Sequence, residues 1–261
     1  MKKFFYLIPT AAVLGLFASW ARGYELAFGF DMISGLPVSG AWIAWLLMAV
    51  AALIGVCVFF MLGKKVPEAR DAKKSPVYTG VSLFAAAVML GHAGYVFFTN
   101  QIVGETILYL FAALSVLNAI SFALIGVKNL IANDNPIYSV FTFVQVLWAT
   151  LAVILVFRER VSEPIAEHFI FLLFAFLCIL MFAYAQTGYV FGRNRFAVAA
   201  VTGVVGVYLA LIEIIAPFIA SAYNVEYYLS LDFKIFLPLV AYVFYMPVAV
   251  LKILRNENDV K

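Results

Sequence analysis

Apolar and polar positions along the chain fall into long blocks. Eight apolar runs occupy roughly 4–20, 42–63, 77–99, 105–127, 138–157, 168–190, 196–220 and 233–254. Each is about long enough to cross a ~30 Å hydrocarbon core at ~1.5 Å per residue. The ten-residue alternating segments of a membrane barrel are missing. Backbone groups in hydrocarbon must be satisfied within their own segment. The pattern therefore predicts an all-α fold, a polytopic transmembrane helix bundle of about eight spans.

The first run carries a second reading. MKKFFYLIPTAAVLGLFASWARG has a Lys-Lys start, an apolar middle and small residues near Ser19 and Ala21. That is the outline of a secretory signal, and its cleavage would leave seven spans. Trp20, just before the candidate cut, is a residue type common at membrane interfaces. It favours a retained span.

Charge then orients the bundle. With the N-terminus in the cytoplasm, the inner segments hold 13 of the 17 Lys and Arg residues, and the outer segments hold Arg22, Arg158, Arg160 and Lys234. Positive residues concentrate on cytoplasmic loops. Both termini are expected inside, and the weak point is FRERVSEP (157–164), which puts two arginines outside. The basic loop GKKVPEARDAKKSP (63–76) is the candidate docking site for a protein partner. The longest loop, 21–41, is expected to lie outside. No segment is large enough for a soluble domain, so residues 1–261 form one transmembrane domain.

Composition agrees: 66% of the residues are hydrophobic, 12% are charged, and mean hydropathy is +1.05. So much apolar surface calls for the lipid bilayer as solvent. The net charge of +3 is spread between apolar runs. It reads as a topology signal, with no nucleic-acid surface. Cys57 and Cys178 both fall inside apolar runs and read as small hydrophobes. No Asn-x-Ser/Thr sequon occurs, which agrees with a prokaryotic cell (plasma) membrane.

Candidate chemistry rests on polar groups within the spans. His92 lies about 24 Å and Glu213 about 26 Å from the cytoplasmic end of their spans. Thr202, Gly206, Ala210 and Glu213 share one helical stripe. Ala87, Gly91 and Gly94 make a small-residue surface beside His92. Small residues let helices approach closely in lipid. The expectation is that Glu213 and His92 share a hydrated, outward-facing pocket, with Pro217 freeing the Glu213 carbonyl. Asn118, Gln145 and Gln186 are expected to make interhelical hydrogen bonds. Glu167 and His168 read as interfacial groups, and 223–233 as an outer aromatic belt.

Phosphate-loop, dinucleotide, zinc-protease and Cys-x-x-Cys patterns are absent from the sequence. No cofactor, metal site or catalytic residue is therefore expected. Three functional classes remain. The first is a small-solute or ion permease using Glu213 and His92. The second is a non-catalytic membrane subunit or scaffold engaging a partner through 63–76. The third is an intramembrane enzyme on a lipid-linked substrate.

Overall fold

The computed structural model describes residues 4–30, 42–62, 75–131, 136–160, 169–191, 193, 195–224 and 232–258. They form α1 (Phe4–Phe28), α2 (Trp42–Leu62), α3 (Pro76–Val103), α4 (Thr106–Ile131), α5 (Pro136–Arg160), α6 (Ile170–Val190), α7 (Phe196–Tyr223) and α8 (Phe233–Asn258). The fold is an all-α polytopic bundle. Helices α2 to α8 each contain a stretch long and apolar enough to cross a membrane. Below, "inner" means the lysine-rich face.

The helices close into a ring: α3 packs on α4, α4 on α5, α5 on α6, α6 on α7, α7 on α8, and α8 on α3. Helices α1 and α2 attach to this ring through α7. The ring is filled with aromatic side chains. Trp148, Phe122, Phe176, Phe182, Tyr242 and Tyr245 are fully buried. Trp148 lies stacked between Phe111 and Tyr242, with interplanar angles of 17° and 18°.

Helix α1 runs parallel to α7, and small residues make the contact. Gly15, Ser19 and Gly23 recur every four positions and so share one face. A Cβ on Gly15 would lie 3.0 Å from Leu211, and one on Gly23 would lie 2.6 Å from Ile219. The Ser19 hydroxyl, in the same contact, donates to the Leu211 carbonyl at 3.0 Å. Trp20 Nε1 donates to the Tyr223 hydroxyl at 2.7 Å. Gly15, Ser19 and Gly23 are thus a helix-packing seam.

Two expectations need correction. Residues 21–28 belong to α1, not to an outer loop. Arg22 and Glu25 are almost fully buried there and pair one turn apart. Glu25 also accepts from the Ala44 amide at the start of α2, at 3.2 Å. The pairing neutralises both charges and lets the helix continue. On α3, Ala87 and Gly91 are exposed, and a Cβ on Gly91 or Gly94 would meet nothing within 4 Å. That helix packs through Ala85, Ala86, Met89 and Ala93 instead. Spacing alone found a small-residue face but not which face meets a neighbour.

The α3–α4 hairpin turns on Gly104, whose φ of 75° lies in the left-handed region. Its N–H caps the Asn100 carbonyl at 2.7 Å, and the Asn100 side chain bonds both the N–H and the C=O of Glu105. An L-residue with a Cβ costs about 1–2 kcal/mol in that region. Gly104→Val is expected to lower the thermal unfolding midpoint in detergent, and an unchanged midpoint would contradict this turn.

Candidate functional site

A row of mostly buried polar side chains runs through the ring, bounded by α3, α4, α5, α6 and α8. Helix α8 sets its length. Lys234, Tyr242, Tyr245 and Lys252 fall on one side of α8 at 100° per residue. Lys234 and Lys252 stand eighteen residues apart, or about 27 Å of helix. That is nearly the thickness of the hydrocarbon core.

At the outer end Lys234 Nζ donates to Glu159 at 3.2 Å and lies 3.5 Å from Asp232. Glu159 and Lys234 are the polar lining of a 20 Å³ cavity walled by Phe111, Leu155 and Phe176. Such a volume suits about one water. Close by, Arg158 pairs with Glu105. This pair accounts for one of the two outer arginines, and its exposed position limits it to about 0–1 kcal/mol.

His92 comes next. Nε2 faces the Lys234 carbonyl at 3.1 Å, and Nδ1 faces the Ser115 hydroxyl at 3.0 Å. A carbonyl only accepts, so Nε2 carries a proton. Ser115 also receives Trp148 Nε1–H at 2.8 Å and sits 2.7 Å from the Phe111 carbonyl. Its hydroxyl proton therefore has two destinations. Pointed at Phe111, it leaves the Ser115 oxygen to accept from a second proton on Nδ1. Pointed at Nδ1, it serves an imidazole with one proton. Rotating one hydroxyl satisfies either arrangement.

In the middle of the row Asn118 donates to the Tyr242 hydroxyl at 3.4 Å. Gln186 donates to the Tyr245 hydroxyl, which lies 2.9 Å from that of Tyr78. Gln145 sits beside the same Tyr245 hydroxyl. Asn118, Gln145 and Gln186 are 0%, 1% and 6% exposed. Yet Asn118 Oδ1, Gln145 Nε2 and Gln186 Oε1 find no hydrogen-bond partner in the protein. Each such orphan costs about 1–3 kcal/mol when nothing else satisfies it.

At the inner end Lys252 Nζ lies 4.1 Å from the Tyr78 ring centroid and donates to Asn129 at 2.6 Å. Asn129 in turn donates to the Ser75 carbonyl and the Thr79 hydroxyl, both at 2.8 Å. Ser75 is the N-cap of α3 and starts the helix just ahead of Pro76.

His92 and Glu213 are not brought together. Both ring nitrogens of His92 are taken by α4 and α8 partners. Glu213 is half-buried on α7, and α7 packs on α1, α2, α6 and α8. It shares its face with Gly206, two turns below, which meets Cys178 of α6 and Met246 of α8. Pro217 lies within a continuous α7. Asn118 and Gln186 make the expected interhelical bonds, both to α8. Loop residues 63–74, the pair Glu167 and His168, and belt residues 225–231 lie outside the described residues.

Tyr78, Ser115, Trp148, Tyr242, Tyr245 and Lys252 were not singled out by sequence reasoning, because tyrosine and tryptophan in a span read as interfacial or packing aromatics. A signal was present for Lys252, a lysine seven residues from Tyr245 and so on its face. Among the described residues no group of three His, Cys, Asp or Glu side chains gathers to hold a metal. No family model matches the chain, and neither a curated protein nor a solved structure matches it. The helices and their lipid-length apolar surfaces define its class: a multi-pass integral membrane protein.

Proposed function

We propose that this protein is an ion permease that moves a proton or small cation between the two membrane faces along the buried polar row. The observation that carries this reading is extent. Polar groups line the ring over about 27 Å of helix, from Lys234 and Glu159 at one end, past His92, Ser115, Tyr242, Tyr245 and Tyr78, to Lys252 at the other. Polar residues within spans are costly and cluster on ion and proton paths. A purely structural role for the row would be served by apolar packing at less cost.

His92 is the group that holds and passes the ion at the outer third, and Asn118, Gln145 and Gln186 line the middle. The test is flux into proteoliposomes under an imposed potential, read with internal pH- and cation-sensitive dyes. Flux above empty liposomes is expected. Tyr245→Phe, which removes one hydroxyl and keeps the ring, should lower it at least tenfold, the effect of ~1.4 kcal/mol on a barrier. Flux equal to that of empty liposomes, or a Tyr245→Phe variant as fast as wild type, refutes the reading.

A further inference from the structure

We infer that Asn118, Gln145 and Gln186 hold a bound water at the middle of the row, in a site suited to water and to neither a bare metal cation nor chloride. The site stands on its own observations, apart from the permease reading.

The first observation is the chemistry of the orphans. Two are acceptors, Asn118 Oδ1 and Gln186 Oε1, and one is a donor, Gln145 Nε2. A water donates two hydrogen bonds and accepts from one or two donors. Two acceptors and one donor therefore complement a single water and leave one of its lone pairs for a tyrosine hydroxyl. A bare cation has no use for an N–H donor, and an anion none for two carbonyl oxygens.

The second observation is position. Ser121 of α4 donates to the Phe141 carbonyl of α5, and Thr187 of α6 donates to the Thr142 carbonyl of α5. These helices are antiparallel neighbours, so moving one turn outward on α4 and α5 brings Asn118 level with Gln145. Gln186 lies within a turn of the same level. All three amides flank Tyr242 and Tyr245, whose rings sit 6.5 Å apart. Tyr242 bonds Asn118, and Tyr245 bonds Gln186 and Tyr78. No direct bond joins the two tyrosines' hydroxyls, and the water has one lone pair left for one of them.

Hydroxyl-radical footprinting with X-ray pulses, on the protein in nanodiscs, labels buried side chains that touch an ordered water. Tyr242 or Tyr245 should be modified several-fold more than Phe122 and Phe182, which are equally buried in apolar surroundings. Gln186→Met and Asn118→Leu should each remove that excess, and Asn118→Gln should keep more of it than Asn118→Leu. Tyrosines labelled no more than the phenylalanines overturn the water site. Labelling without any flux sinks the permease reading and leaves the site standing.

Discussion

His92→Gln should abolish ion flux while leaving the bundle intact, whereas His92→Leu should abolish flux and destabilise it. The difference follows from the two bonds that His92 makes. Its ring joins the Ser115 hydroxyl to the Lys234 carbonyl across α3, α4 and α8. Glutamine offers a donor and an acceptor on one planar group and can satisfy much of that demand. It cannot take a proton at one nitrogen and release it from the other. Leucine leaves the Lys234 carbonyl without its partner, at about 1–3 kcal/mol where water cannot reach it, while Ser115 keeps Phe111 and Trp148. Thermal unfolding in detergent separates the two variants, and flux reads both. A His92→Gln protein that conducts like wild type would remove His92 from the path. Glu213→Gln is the comparison: it leaves both His92 bonds in place and should conduct more than His92→Gln.

Gly23→Val should detach the outer half of α1 from α7. The new Cβ would lie 2.6 Å from both Cβ and Cγ2 of Ile219 and 3.0 Å from the Ala216 carbonyl oxygen. Neither neighbour is the free end of a flexible chain. The contact can be relieved only by moving a backbone, and overpacking of this kind costs about 1–3 kcal/mol or more. The buried Arg22–Glu25 pair and the Glu25 bond to α2 lie within one turn and would be disturbed with it. A thermal midpoint lower by on the order of 5 °C is expected, with Gly23→Ala falling between. An unchanged midpoint would mean that α1 does not sit against α7 in this register.

Most of the fold was legible because one physical rule dominates it. A membrane-length apolar run becomes a helix, and helix ends agree with the run ends to within a few residues at most boundaries. The exception, the outer end of α1, turns on a buried ion pair, which a hydropathy pattern reads as loop. Neighbourhood was not legible. His92 and Glu213 have matching depth, yet depth is one coordinate of three, and α8 takes the place beside His92 that α7 was expected to fill. The amides Asn118, Gln145 and Gln186 were found because their polarity stands out in a span. The tyrosines that link them were not, since their hydroxyls are invisible to any scale that scores the ring. Gly15, Ser19 and Gly23 had the right spacing in plain sight, but the charged start ahead of them suggested a signal.

The α1–α7 seam also sets an order of assembly. Ser19 and Leu211 touch across 192 positions of sequence. Helix α1 is made first, and its partner follows roughly 10–40 s later at ~5–20 residues per second. Through that interval the Gly15–Ser19–Gly23 groove must rest against lipid or an insertion factor, while the α3–α4 and α5–α6 hairpins close on their own local contacts. Docking of α1 on α7 is therefore a late step of assembly, and chains stopped before α7 should carry an α1 that still slides and rotates freely.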